Sequence, residues 1–424
     1  MRDIEIIKIE ENGKVVNAPI DSCSVADNMG RVFHYKDGIY RAITIGGVEI
    51  VKKFLGQKNL NQIFDKGLVR TELTDIKAEG YGVVVKHHNV RFKSLPYEWS
   101  GNMIQDTCRM IVQLGAELYT RGYSFKDGHI FNTFFDYYKP TWVDFGSILP
   151  IKNIPNSRRL EPLDFPWEFS GTFIQDTHMF LEKSGAISIS KEDMFAIREK
   201  HKFDPVEFFC AMDDYFSNIE FKYGATEWTG YGNSHVADTN PKVVHTREFL
   251  QEIGESTMID IGASKGRFSE LGIEVGYDVV AFDLDASSIA KLYSRTKGSE
   301  SSILPLVGDF TKMTPQISGH QSFTERVRCD VSLFLAVIHH LSLKRKVPFE
   351  TIAQNLSDLT GKYSIVEFIP KGDRHVGGWG DQDWYSMDNF IKVMGKHFHF
   401  LEVINITPEP RKLLFFRKKY WWTG

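Results

Sequence analysis

From about residue 257 onward, short runs of apolar and β-branched residues alternate with segments whose apolar positions recur every three or four residues. "TMIDIGA", "DVVAFDL", "ILPLVGDF", "RCDVSLFLAV" and "YSIVEFI" are short, continuous apolar runs, and they predict buried strands. Between them, "KGRFSELGIEV" and "SSIAKLYSRT" predict helices, and "PFETIAQNLSDLT" places Phe349, Ile352, Leu356 and Leu359 on one helical face. That rhythm belongs to βαβ units and an open parallel sheet. "DNFIKVMGKHF" predicts a final helix, after which "FLEVINIT" and "RKLLFFRK" form a hairpin around "PEPR". Five parallel strands ending in a hairpin predict a seven-stranded sheet.

The earlier part of the chain is patterned differently. "GRVFHYKDGIYRAITIGGVEIV" and "GYGVVVKHHNVRFKSL" predict strands around turns, with a helical stretch between them. "NMIQDTCRMIVQLGAELYTRG" predicts a long helix with Met103, Met110, Leu114 and Leu118 on one stripe. Residues from about 163 to 223 are mostly amphipathic helical segments. Gly, Asn, Asp and Pro cluster in "GATEWTGYGNSHVADTNPK", Gly224 to Lys242, and mark a domain boundary. The expected domains are 1–230, with a strand-rich lobe about 1–98 and a helical lobe about 99–230, and then 231–424.

Composition narrows the function classes. The 424 residues are 42% apolar, enough for two packed cores, and a net charge of −4 offers no footprint for gripping nucleic acid. No run of about 18 apolar residues occurs and the amino terminus lacks a signal-peptide core, so no membrane span and a cytoplasmic location are expected. Cys23, Cys108, Cys210 and Cys329 are far apart, with no CxxC pair, and are expected to be buried thiols rather than zinc ligands or a disulfide framework. The aromatic tail "FFRKKYWWTG" is expected to be a last core strand and a short end.

The chemistry concentrates in two places. In "MIDIGASKGRFSE", Asp260, Gly262, Ser264 and Gly266 lie between a strand and a helix, where small residues let backbone approach a ligand. Asp283 ends the next strand, seventeen positions past Gly266, where a carboxylate accepts the hydroxyls of a ribose. Ser264 and Arg267 stand at the second and third glycine positions of a GxGxxG fingerprint, which disfavours a nicotinamide dinucleotide. The loop instead resembles the DxGxGxG motif of class I S-adenosylmethionine-dependent methyltransferases, with Ser264 as the departure. The resemblance implies that Asp283 and Leu284 flank the ribose, that Asp309 meets the adenine amino group, and that Phe310 lies beside the ring. His339, His340 and Glu367 then fall at the mouth where an acceptor sits, and a histidine is a suitable proton acceptor at neutral pH. Asp381, Asp383 and Trp384 are further candidates for lining that mouth, and no metal is expected in this domain.

The second place is "KDGHIFNTFFDYYKPTWVDFGS". Asp127 and Asn132 are five apart, as in a kinase HRDxxxxN loop, and Asp144, Phe145 and Gly146 follow as DFG. In kinases the first Asp orients the acceptor hydroxyl, and the Asn and second Asp hold magnesium on ATP. Lys126 stands where kinases have Arg, His129 lies inside the loop, no glycine-rich loop precedes it, and only Arg41 stands near the expected lysine position. ATP and magnesium binding here is therefore an open question.

Taken over most of its length, the chain resembles bacterial class I methyltransferases with a kinase-like amino-terminal region, the nodulation protein NoeA-like family. The likeness rests on "PYEW", "KDGHIFNTFFD", "WVDFGSI", "AFDLD", "ILPLVGDFT", "AVIHHL", "VEFIPKGDR" and "PEPRKLL". It implies an α/β fold, with a carboxyl-terminal Rossmann-like class I methyltransferase domain preceded by an α+β kinase-like domain. It also implies S-adenosylmethionine as cofactor and a saccharide or other small-molecule hydroxyl as acceptor. Two alternatives stay open: a bifunctional kinase-methyltransferase, and a non-catalytic pseudoenzyme scaffold.

Overall fold

A computed structural model describes residues 5–21, 24, 28–126, 128–154, 159–160, 165–166, 172–224, 237–317, 319–374, 376 and 382–419. The chain divides into two compact units: Met1–Pro96, Met103–Lys222 and Ser318–His320 form the first, and Tyr97–Asn102, Tyr223–Ile317 and Gln321–Gly424 the second.

In the first unit, β1 (Ile6–Glu11) and β2 (Lys14–Pro19) form a hairpin. A second hairpin follows, of β3 (Gly30–Tyr35) and β4 (Gly38–Ile43), then helices α1 (Val48–Leu55) and α2 (Leu60–Asp65) and strands β5 (Thr71–Leu73), β6 (Lys77–Ala78) and β7 (Val83–His87). These strands make two antiparallel sheets, β2-β1-β6 and β3-β4-β7-β5. Val48–Val51, expected as an extension of strand, is the first turn of α1. The turn Ile45–Gly47 ends the strand, and Val51 and Phe54 bury one face of the helix.

The long helix α3 (Gly101–Thr120) has Met103, Met110, Leu114 and Leu118 buried, as its stripe requires. After it, β8 (Tyr123–Phe125) pairs with β11 (Ile148–Pro150), and β9 (Thr133–Asp136) pairs with β10 (Lys139–Trp142) between them. A small hairpin of β12 (Arg159–Leu160) and β13 (Phe165–Pro166) precedes α4 (Thr172–Lys183), β14 (Ala186–Ile187), α5 (Lys191–Lys200), α6 (Pro205–Ser217) and β15 (Glu220–Phe221). Ser190 and Asp204 cap α5 and α6 by accepting from the amides of Asp193 and Glu207. Cys108 is buried within α3, but Cys210 on α6 is exposed, contrary to the expectation of a buried thiol; Cys23 lies outside the described residues.

The second unit opens with α7 (Pro241–Ile253), capped by Asn240. There follow β16 (Thr257–Ile261), α8 (Arg267–Glu274), β17 (Asp278–Asp283), α9 (Ala286–Ser299) and β18 (Ile303–Val307). Next come α10 (Phe323–Arg326), β19 (Cys329–Phe334), α11 (Phe349–Leu359), β20 (Thr360–Phe368), α12 (Met387–Met394), β21 (Phe398–Asn405) and β22 (Lys412–Lys418). The sheet runs β18-β17-β16-β19-β20-β22-β21, five parallel strands with β22 antiparallel between β20 and β21. The order reverses at β16, so the carboxyl ends of β16 and β19 open a crevice, where open α/β sheets bind ligands. Met258, Val279, Val331, Ile365 and Phe415 from five strands share one buried cluster with Phe249 and Leu250 of α7. That packing fixes the strand ends that carry the site.

Candidate functional site

Each acidic residue of the crevice sits where a strand ends. Asp260 is buried in β16 and accepts a 2.7 Å bond from the Ser269 hydroxyl. Burial pushes its carboxyl up to about 6, against the opposing pull of Ser269. The loop after β16 then turns sharply. Gly262 and Gly266 have φ of +79° and +83°, and a Cβ on Gly262 would lie 2.4 Å from Val337 Cγ2. Ser264 holds φ +48°, so it takes the left-handed backbone that glycine favours and preserves the shape of the loop.

Asp283 ties this loop to the next strand. Its Oδ2 accepts from the Ser264 amide and its Oδ1 from the Asp285 amide, both at 2.7 Å. Burial raises its pKa while the amides of Asp285 and Ser264 oppose that rise. An ionised carboxylate has about four acceptor positions, so these amides do not exhaust it and it can still accept from a ligand hydroxyl. Leu284 beside it is 52% exposed, an apolar side chain open to solvent at the rim.

Asp309 follows β18. Its Oδ1 accepts from the Thr311 amide and hydroxyl, both at 2.8 Å, and Arg345 grips both oxygens, at 3.2 and 2.6 Å. Burial pushes the carboxyl up, but Arg345 and Thr311 outweigh it and hold Asp309 below the ordinary value. Phe310 is buried with its ring 5.1 Å from that of Phe334, so it packs into the sheet.

The turn after β19 carries both histidines. Ala336 has φ +58°, a strained backbone for a residue with a Cβ, and Val337 is the side chain that faces Gly262. His339 is fully buried and His340 half-buried, with ring centroids 3.9 Å apart. His340–Lys344 is a π-helix, a form concentrated at functional sites.

Glu367 ends β20 in a buried ionic network. Lys242 donates to its Oε2 at 2.9 Å and Arg411 to its Oε1 at 3.3 Å, while Arg411 also binds Asp373 at 2.8 Å. Both Glu367 oxygens are therefore engaged by cations, and the residue orders Lys242 and Arg411 rather than standing ready for a substrate proton. Asp383 is exposed, Trp384 packs on Phe349 at 5.1 Å, and Asp381 lies outside the described residues. Lys242, Arg345, Arg411 and Asp373 escaped the sequence reading. Lys242 stands just inside a helix that opens with Asn-Pro, and Arg411 within "PEPR", so the signals were present but carried no spacing rule.

In the first unit, Arg41 of β4 donates to Asp144 Oδ1 at 3.2 Å, across 103 positions of sequence. Arg41 is buried and the Asp144 side chain partly exposed. Phe145 packs edge-on against Phe54 of α1 at 5.7 Å, and lies 5.6 Å from His87. Burial, and after it the charge of Arg41, pushes His87 down to about 3. Asn132 lies in the turn before β9, where its carbonyl accepts from Val143. Asp127 lies outside the described residues, and among the described residues no cluster of three or more His, Cys, Asp or Glu is placed to hold a metal.

The second unit's mixed seven-stranded sheet matches a Rossmann-like methyltransferase fold. No protein-family profile matches the chain. It is similar to the nodulation protein NoeA of Rhizobium meliloti (strain 1021), 24% identical over 413 residues, 83% of this chain and 85% of that one. Among solved structures it is similar to the N-methyltransferase NodS from Bradyrhizobium japonicum WM9, at 16% identity and a TM-score of 0.33, over 43% of this chain and 99% of that one. It is also similar to WbdD, at 15% identity and a TM-score of 0.32, over 46% of this chain and 43% of that one.

Proposed function

We propose that the chain is an S-adenosylmethionine-dependent methyltransferase whose second unit methylates a hydroxyl of a glycan or other small molecule. The observation that carries this is Asp283: it spans from the end of β17 to the loop amide of Ser264 and can still accept from a ribose hydroxyl. The fit extends along the crevice. Gly262 turns the loop at a positive φ with Val337 packed against it, Asp260 is buried in the strand before the loop, Leu284 offers an apolar edge to a ring, and Asp309 offers a carboxylate to an amino group.

When bound, the cofactor supplies a methyl group already activated on a sulfonium. The residues then have three tasks: to hold the donor, to align the acceptor oxygen in line with the methyl, and to take the hydroxyl proton. His340, half-buried at the start of the π-helix, suits the last task better than the fully buried His339. The Lys242–Glu367–Arg411–Asp373 network holds the wall of the mouth.

Titration with S-adenosylhomocysteine tests the assignment. Wild type is expected to bind it and Asp283→Ala to lose at least tenfold in affinity, since a hydrogen bond to a charged group contributes about 1.5–3 kcal/mol. Equal binding by Asp283→Ala overturns the cofactor assignment.

A second reading is favoured by one contact. The Arg41–Asp144 pair, with Phe145 packed on α1, supports a kinase-like first unit, and we infer that this unit holds the acceptor. Phosphorylation of the same acceptor is the bifunctional alternative.

A further inference from the structure

We propose that Glu98 is a positioning residue for the methyl-donor site: through Arg326, Phe323 and Phe282 it holds the cofactor loop and Asp283 in place, so Tyr97–Asn102 is a working part of the second unit. This rests on the cofactor assignment above, and it gives a role to "PYEW", a run that neither the glycine loop nor the DFG-like stretch uses.

The run is distant from the loop in sequence but lies within the same unit. Tyr97–Asn102 belongs to the second unit, although the chain up to Pro96 and from Met103 belongs to the first. Glu98, Trp99 and Ser100 are buried, and the segment is gripped near both ends. Arg326 donates from Nη1 and Nη2 to the two oxygens of Glu98, and the Tyr223 hydroxyl donates to Asn102 Oδ1 at 2.9 Å. The third guanidinium nitrogen, Nε, donates to the Gln321 carbonyl at 2.8 Å, so the plane of the group is fixed.

From Arg326 the contacts run to the cofactor loop. Its guanidinium lies 5.9 Å from the ring centroid of Phe323, and that ring lies 4.7 Å from the ring of Phe282. Phe282 is buried, and Gly308 lies so close that a Cβ there would stand 2.6 Å from its ring. The Phe282 carbonyl accepts from the amides of Gly262 and Ala263 at 2.8 and 3.3 Å, which ties down the loop after β16, and the next residue along β17 is Asp283. Replacing a buried ion pair by apolar residues is often neutral for stability, so what the forked pair adds over an apolar contact is a fixed direction. A binding constellation has to be held to within about 0.5 Å by groups whose own positions are locked. Glu98 supplies such a lock from outside the βαβ run of sequence.

The test is calorimetric titration of the full chain with S-adenosylhomocysteine and with its 2′,3′-dideoxyribose analogue, at a temperature below the onset of each variant's melt. Wild type is expected to prefer the ribose compound by about tenfold or more, the hydrogen bonds to Asp283 being those of a charged group. Glu98→Leu with Arg326→Met is expected to melt close to wild type but to lose roughly threefold or more of that preference, through weaker binding of the ribose compound. Phe323→Leu, which keeps the ion pair and removes the ring between it and Phe282, is expected to lower the preference in the same way. A purely structural role would weaken both compounds alike and leave their ratio unchanged. An unchanged preference in the folded double variant overturns the role of Glu98 and leaves the cofactor assignment standing; if that variant does not fold, Phe323→Leu decides on the same ratio. Wild-type protein that binds neither compound overturns both.

Discussion

Asp260, proposed above to support the cofactor loop, shows what a buried carboxyl costs the fold that carries it. It is buried, it accepts from the Ser269 hydroxyl, and burial raises it from 3.8 to about 6. A carboxyl raised on folding contributes its full stability below its unfolded value, and that contribution is lost as pH rises through the folded one. At pH 7.5 Asp260 is therefore a liability, of up to about 3 kcal/mol for two pKa units. Asp260→Asn keeps the shape and a partner for Ser269 without the charge. The expected outcome is a variant more stable than wild type at pH 7.5, with the gap closing below pH 4, and with weaker S-adenosylhomocysteine binding. Urea unfolding at the two pH values and one titration check it; a variant less stable at pH 7.5 contradicts the account. The acids proposed for the crevice stand out in the sequence because each lies at or just past the end of a buried apolar run. Their partners do not: Ser264 and Asp283 are tied through a backbone amide, and Arg345 reaches Asp309 from 36 positions away, and neither bond leaves a periodic trace.

Among the elements, the turn Pro96–Glu98 and the short helix α10 are joined by a buried charge pair. Arg326 donates to both oxygens of Glu98, one bond at 3.0 Å, and both side chains are 2% exposed. Phe323 of the same helix lies 4.7 Å from Phe282 of β17, so this pair anchors a support beneath the strand that carries Asp283. Removing one partner of a buried pair leaves the other uncompensated, at about 3–5 kcal/mol, whereas a well-packed apolar replacement of both is often neutral. Glu98→Gln is therefore expected to lower stability strongly, and Glu98→Leu with Arg326→Met to recover most of the loss. Denaturant titration of the single and double variants reads this; additive losses would mean that the two side chains do not act as a pair. The strands of the second unit were readable because buried parallel strands are continuous apolar runs, and the helices between them have a different period. Val48–Val51 was misread for the same physical reason: a short run with three β-branched residues in four looks alike in both states, and burial of Val51 and Phe54 decided for helix. The π-helix at His340 carries no composition signal, since one i→i+5 bond is a matter of local packing.

For the whole molecule, the question is what the first unit contributes beside the second. The spacing of Asn132 and Asp144 was visible in the sequence, but the contact that gives Asp144 its partner comes from β4, a hundred residues earlier. That contact changes the expected chemistry. A magnesium ligand must offer its oxygens to the ion, and Asp144 Oδ1 already accepts from the buried Arg41 guanidinium, a permanent cation. Magnesium binding there would have to displace Arg41 or share the carboxylate with it. Wild-type protein titrated with ATP is therefore expected to show little difference with and without magnesium. Arg41→Ala, by releasing Asp144, is expected to gain a magnesium-dependent heat that Asp144→Asn in the same background abolishes. Magnesium-dependent ATP binding by wild type that disappears in Asp144→Asn would give the opposite result, a working phosphoryl-transfer site. The acceptor would then be sought as a molecule that carries both a methyl and a phosphoryl group. Without that binding, Arg41 is a built-in substitute for the metal, and the acceptor search follows the methyl group alone.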